Sequence, residues 1–302
     1  MILFNYLIFP GFLFSAVMGL LAGWVDRKVT ARVQWRIGPP WYQNFVDFIK
    51  LLGKEIILPK SNKFTFLFAP ILGLISVTLV ATILGKLIIN PLDSFLGDLI
   101  VVLYLLIIPA IAIILGASAS GNPLASMGVS REMKLVLAYE LPFILAVVTV
   151  IVKTGTAIRL GGILAFQMGN GAIVGSLSGL IAFIIAILCM QAKLGLVPFD
   201  ISEAEQEIMA GVFIEYSGFP LAIFKLMKSM LLYVMPLFLI CLFWAANTNI
   251  FSLIGKYILL LVIIILIRNT SPRIRIDQAL GFFWGLITAL AIVAISLALF
   301  GL

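Results

Sequence analysis

Residues 98–118 read DLIVVLYLLIIPAIAIILGAS, with one acid at the first position and no other charge. Coiled as an α-helix, about 20 apolar residues cross the hydrocarbon of a bilayer. Seven further runs of this kind flank it, at Ile2–Trp24, Phe66–Ile88, Leu135–Val152, Ala172–Met190, Phe219–Ala245, Phe251–Ile267 and Gln278–Leu299. Of the 302 residues 63% are hydrophobic and 11% charged, where a soluble domain has about 45–50% and about 25%. No water-soluble fold hides that excess in its interior, so the bilayer is the solvent for much of the chain. The sequence predicts an all-α polytopic membrane protein: one membrane domain over residues 1–302, eight transmembrane helices, and amphipathic interfacial helices in loops. The first run has no basic segment before it and no small-x-small cleavage site, and reads as a retained helix.

The formal net charge is +7. In a soluble protein that would point to nucleic acid; here the basic residues lie between apolar runs and speak of the lipid bilayer instead. Arg27, Lys28, Arg32, Arg36, Lys50, Lys54, Lys60 and Lys63 follow the first run. Arg131 and Lys134 follow the third, Lys193 the fifth, and Arg268, Arg273 and Arg275 the seventh. Only Lys86, Lys153, Arg159 and Lys256 fall on the other side. The positive-inside rule then predicts a multi-pass protein of the cell membrane with odd loops in the cytoplasm and both termini outside. Only Asp93 and Asp98 lie on the outer side, and the other eleven acids gather at or just beneath the cytoplasmic face. Acids contribute little to orientation, so they need another reason.

The chain has two cysteines, Cys189 and Cys241, and no histidine. Clusters and zinc sites are built from several such ligands. No metal site and no cofactor are expected on this chain itself.

The first cytoplasmic loop carries an amphipathic segment at residues 41–56. Phe45, Phe48, Ile49, Leu52 and Ile56 share one face, and Asp47, Lys50 and Lys54 the other. Such a segment lies in the interface or caps the spans. Before it, Asp26, Arg27, Arg32 and Arg36 follow directly on a span, and Gly38-Pro39-Pro40 turns the chain. A snorkelling collar explains one or two of the arginines but not Asp26. The acidic loop at residues 194–218 holds Asp200, Glu203, Glu205, Glu207 and Glu215 without a lysine or arginine from Val197 to Phe224. The spacing predicts that Pro198 ends the fifth span and that Ser202 caps a short helix with Glu203 and Glu207 on one face. Crowded carboxylates near low dielectric have coupled titrations, as a proton relay requires; the alternative is a solvated surface helix.

Glu140 sits inside the fourth span, two residues before Pro142. An intramembrane acid is costly and marks an ion path unless Arg131 or Lys134 merely pairs with it. Pro142 predicts a kink and a polar cavity beside it. Lys225 and Lys228, on the sixth span, either snorkel or pair with Glu207 or Glu215. Gly116, Ser118, Ser120, Gly121, Gly175 and Gly179 are expected where helices pack closely.

Five segments, taken in order, resemble the family of the H subunit (also numbered subunit 1) of complex I and the energy-converting membrane hydrogenases. They are Asp26 to Gly38-Pro39, Asp47 to Glu55, Ala119-Ser120-Gly121-Asn122 through Arg131 to Tyr139-Glu140, Pro198-Phe199-Asp200 to Glu215-Tyr216-Ser217-Gly218, and Arg268 through Arg273 and Arg275 to Asp277-Gln278. The resemblance implies eight core spans and a crevice facing a soluble redox arm, lined by Arg27, Arg32, Arg36 and Asp200. It implies an acidic path matching Glu140, Glu203, Glu205, Glu207 and Glu215. Asp26, Arg131, Arg273 and Arg275 join the crevice and redox-arm interface, and Lys225 and Lys228 the ion path. Quinone-reducing members carry Glu-Thr-Asn-Arg where this chain has Lys193, Leu194, Gly195 and Leu196, and a later family glutamate falls at Lys228. These departures, with Pro40-Trp41-Tyr42-Gln43, favour the membrane anchor of an archaeal membrane-bound [NiFe] hydrogenase or its sulfur-reducing relative over a quinone-binding subunit. A stand-alone secondary transporter is the alternative of another class. The resemblance implies iron–sulfur clusters and a [NiFe] or related centre on soluble hydrogenase-like large and small subunits. It also implies antiporter-like membrane subunits as partners.

Overall fold

Short polar side chains fix where the helices begin. Asn62 Oδ1 accepts from the Thr65 amide at 3.3 Å, Asn122 Oδ1 from Leu124 at 2.9 Å, and Ser176 Oγ from Gly179 at 3.2 Å. Each satisfies a first-turn amide that has no partner within its helix. A computed structural model describes residues 2–155, 158–246 and 249–301, without the side chains of Ile2, Glu205 and Gln206. The described residues form helices and no strands. They are α1 (Ile2–Leu7), α2 (Phe12–Val33), α3 (Gln43–Leu52), α4 (Lys63–Ile89), α5 (Asp98–Ala119), α6 (Pro123–Lys153), α7 (Leu160–Asn170), α8 (Leu177–Lys193), α9 (Glu205–Ile208), α10 (Gly218–Phe243), α11 (Ile250–Thr270) and α12 (Ile276–Leu299).

Seven stretches are long and apolar enough to cross a bilayer, the first formed by α1 and α2 together. The eighth expected span is α8, whose 17 residues reach about 26 Å at about 1.5 Å per residue. That is slightly short of the hydrocarbon thickness. Two boundaries move substantially. The first run is broken near Pro10, and α2 continues past Trp24 to Val33, so Asp26, Arg27 and Arg32 stand on a helix rather than in a loop. The fourth begins at Pro123, because Asn122 and Pro123 supply an N-cap and a preorganised first residue. Arg131, Glu132 and Lys134 therefore ride on α6.

The α10 helix is the hub, with 83% of its span enclosed. It packs chiefly on α2 and α4, and more lightly on α3, α11, α7 and α8. The α4–α5 pair joins α6, which packs in turn on α8 and α12. Missing side chains allow the closest approaches. A Cβ on Gly19 would stand 2.6 Å from the Ser229 carbonyl of α10, and one on Gly116 2.2 Å from the Tyr216 hydroxyl. Gly116 thus packs as expected. Gly175 meets nothing within 4 Å and Gly179 only its own cap, so these two are not helix–helix contacts.

At the end of the bundle opposite the acidic loop, Asp98 is 1% exposed and its Oδ1 accepts from the Leu160 amide at 2.7 Å. Arg159 donates to Ser94 Oγ at 2.7 Å beside it. The carboxylate pins the start of α7 onto α5. Asp98→Ala should strand that amide and cost about 1–3 kcal/mol, whereas Asp98→Asn keeps an acceptor and costs less. Denaturant unfolding of the purified variants distinguishes the two, and equal stabilities would remove this role.

Candidate functional site

The polar ends of α2, α3 and α10, with the segments after α8 and α11, enclose a cavity of about 960 Å³. Its lower wall is apolar, with Leu20, Phe48, Phe224 and Leu232. Its charged wall carries Asp26, Arg27, Asp47, Asp200, Glu203, Lys228, Arg268 and Arg273. Asp47 sits on the polar face of α3, which turns toward the cavity, while Trp41, Ile49 and Leu52 face outward and exposed. This is the orientation of an interfacial helix, trimmed from the expected 41–56 to ten residues.

Ion pairs stitch the wall together. Arg27 holds Asp47 at 2.8 Å, Arg273 holds Asp200 at 2.7 Å, and Arg268 holds Asp26. The Arg27 hydrogen bond is the main cause that lowers the Asp47 pKa. That pair persists at neutral pH and is lost only as acidification passes through the lowered pKa. Asp26 and Asp200 each keep one buried carboxylate oxygen without a hydrogen-bond partner among the described residues. Lys50, Lys54 and Lys225 line the cavity with no ion pair among the described residues. Lys225 is exposed at the cavity, and the expected pairing with Glu207 or Glu215 does not form among the described residues.

Four expected crevice residues lie elsewhere. Arg32, Arg36, Arg131 and Arg275 do not line the cavity. The turn after α2 carries Arg36 outward with Trp35 and Ile37, 98% and 93% exposed, and Trp35 has φ 58°. Arg131 holds Glu207 at 2.6 Å on the outside of the acidic loop.

The acidic loop is not the amphipathic helix its spacing suggests. A 3-10 turn, Ile201–Glu203, ends at a non-helical Ala204, α9 is four residues long, and a second 3-10 turn spans Gly211–Phe213. Met209 and Ala210 then take left-handed backbone angles, φ 50° and 72°. The loop instead packs on α6, where a Cβ at Gly128 would meet the Val212 amide at 2.9 Å. Ser202 is buried and caps nothing. Glu203 and Glu207 consequently part company: Glu207 is exposed, and Glu203 pairs with Lys228 in the cavity. Glu215 accepts from Asn122 Nδ2 at 2.6 Å. The expected pairing of Lys228 with Glu207 or Glu215 therefore does not form. The side chain of Glu205 lies outside the described residues.

Below the cavity the chemistry continues inward. The α8 helix ends before Pro198, in a Schellman turn: Leu196 N–H bonds the Gln191 carbonyl and Gly195 N–H bonds that of Ala192. Gly195, at φ 62°, supplies the left-handed residue this turn requires. Lys193, on the last turn of α8, is 2% exposed and donates to both Glu140 oxygens at 3.2 and 3.0 Å. Phe143 lies against its ammonium, 4.6 Å from nitrogen to ring centroid. Glu140 thus pairs with Lys193, not with Arg131 or Lys134, which stand at least six positions nearer the start of α6. Helix α6 runs unbroken through Pro142. The enclosed space lies instead between the large cavity and Lys193. It measures about 20 Å³ and is lined by Glu132, Lys193, Gly195, Glu203 and Lys228.

Glu132 is the residue that sequence reasoning passed over. Its signal was the N-cap at Asn122, which puts it on the same helix as Glu140. The pairing of Lys193 with Glu140 across 53 residues had no such signal.

Among the described residues no group of three or more Cys, Asp or Glu side chains is placed to hold a metal ion. The site can bind ligand donors at its carboxylates and pass protons between closely spaced titratable groups.

A family model described as NADH dehydrogenase matches residues 5–299. The chain is 32% identical to the H subunit of NADH-quinone oxidoreductase from Thermomicrobium roseum, over 94% of this chain and 92% of that one. It is also 32% identical to the H subunit of the same enzyme from Anoxybacillus flavithermus, over 92% and 86%. Among solved structures, a chain of the membrane-bound sulfane sulfur reductase, an archaeal respiratory membrane complex, matches with TM-score 0.88 at 30% identity, covering 98% of this chain and 99% of that one. A family model over nearly the whole chain and relatives at 32% identity thus agree, and the chain belongs to the NADH dehydrogenase subunit 1 family, as a homologue of the H subunit of complex I-like membrane complexes.

Proposed function

We propose that this chain is the anchoring and coupling subunit of a complex I-like respiratory complex. It links electron transfer in a soluble hydrogenase-type or sulfur-reducing arm to translocation of protons or sodium ions. The observation that carries this reading is the line of titratable groups from the 960 Å³ cavity through Glu203 and Lys228 to the buried Lys193–Glu140 pair. A charge change above the cavity perturbs this line electrostatically, because its groups are close together in low dielectric. Pumping is then completed in antiporter-like membrane subunits. Iron–sulfur clusters and the [NiFe] or related centre belong to the soluble partners. The hydrogenase and sulfur-reductase reading is favoured over quinone reduction by Leu194, Gly195 and Leu196, which form an apolar turn where quinone-reducing members are polar.

Trp35 and Ile37, exposed in the turn after α2, offer apolar anchors for the soluble arm, since aromatic side chains dominate binding hot spots. Affinity purification of the tagged chain in mild detergent should bring down subunits with cluster-ligating cysteines and antiporter-like membrane subunits together. Recovery of the chain alone under conditions that keep other respiratory complexes whole would contradict the proposal.

The cell membrane is the expected location, with the cavity opening to the cytoplasm. In sealed right-side-out vesicles, Lys256→Cys should react with an impermeant maleimide and Lys60→Cys should not. The reverse pattern would invert the topology and place the cavity on the wrong side for a cytoplasmic redox arm.

A further inference from the structure

The small cavity between the crevice and the membrane interior has an uneven charge balance. Around it and immediately beyond stand three carboxylates, Glu132, Glu140 and Glu203, and two ammonium groups, Lys193 and Lys228. Lys228 is committed to Glu203 and Lys193 to Glu140. Glu132 makes no ion pair among the described residues; it lies against the Ser202 side chain and within the field of Lys228. Lys228 also feels Asp200, which is itself neutralised by Arg273. The volume, about 20 Å³, is what one water molecule needs, provided polar groups surround it. Four titratable side chains line it here, and Leu106, Pro109, Ala110, Ile113, Leu194 and Leu231 close the rest.

We propose that Glu132 is the proton-carrying carboxyl at the entrance to the membrane path. It receives a proton from the crevice and hands it, through water in the small cavity, toward Glu140. The charge count gives the reason. Three carboxylates against two ammoniums leave one negative charge, which a single proton cancels. Moving that proton from Glu132 to Glu140 breaks one O–H bond and forms another while the cluster stays neutral. No net charge is created in low dielectric during the transfer, which removes its largest electrostatic cost. Gly195 lines the same space, 3.6 Å from Glu203 Oε1 and 3.7 Å from Lys228 Nζ measured from where a Cβ would stand. This inference rests on the coupling role proposed above.

The test uses the intact complex in sealed vesicles, with Glu132→Gln and Glu140→Gln measured in parallel as ions moved per redox turnover. Both should fall by about 10²-fold, the usual contribution of a positioned proton-transfer group. A normal ratio for Glu132→Gln with a collapsed one for Glu140→Gln would overturn the role of Glu132 while leaving the path through Glu140 in place. Normal ratios for both would remove the path itself. Infrared difference spectroscopy on redox cycling supplies a readout that structural damage does not mimic. A protonated-carboxyl band should be present in the wild type, shift in Glu132→Asp and vanish in Glu132→Gln. If Glu132→Gln fails to assemble, the Glu132→Asp spectrum decides: a band that does not move assigns the proton to another group.

Discussion

Replacing Glu140 by Gln should collapse the ions moved per redox turnover by about 10²-fold in vesicles containing the whole complex. The substitution keeps size and a hydrogen-bond acceptor for Lys193, so the helices should still assemble. What disappears is the carboxylate paired with the Lys193 ammonium, a side chain 2% exposed, at the inner end of the charged line. Lys193 then either remains charged without a counter-ion or gives up its proton, and in both cases the path ends one step short of the membrane interior. Transport and redox turnover measured on the same vesicles check this. A wild-type ratio would make the Glu140–Lys193 pair purely structural.

The second large effect is on stability. Lys193→Met should destabilise the fold by about 3–5 kcal/mol, because removing one member of a buried pair leaves an uncompensated charge. Glu140 is 14% exposed on its side chain, so little solvent is available to rescue it. The double variant Lys193→Met with Glu140→Leu should recover most of the loss, since replacing both partners by apolar groups of similar size is close to neutral. Denaturant unfolding of single and double variants gives the comparison. A double variant as unstable as the single would show that Lys193 acts through its stacking on Phe143 rather than through charge.

These two residues also show where sequence reading succeeds and where it stops. The spans were legible because the solvent requirement of a bilayer-embedded helix is a property of one contiguous segment. The family resemblance was legible because Pro198-Phe199-Asp200 to Glu215-Tyr216-Ser217-Gly218 is itself contiguous. The partner of Glu140 was not, because it depends on how α8 lies against α6. The sequence pointed to Arg131 and Lys134, neighbours in the chain, and the bundle supplied Lys193 instead. The acidic loop misled for a related reason. Glu203 and Glu207 have helical spacing, but packing of the loop onto Gly128 and the left-handed Met209 and Ala210 outweigh local propensity. Its two glutamates end on opposite sides, one in the crevice and one on the surface. The resemblance placed Arg32 and Arg36 in the crevice, but with α2 continuing to Val33 and the turn after it exposed, neither lines the cavity.

The most direct test of the account compares ion flux for the chain alone with that for the assembled complex. Each is reconstituted into sealed liposomes and assayed with and without the electron donor. The expected result is no flux through the isolated chain and flux through the complex only while redox turnover runs. Ion movement through the isolated chain, independent of any electron donor, would mark a stand-alone transporter and contradict the coupling role.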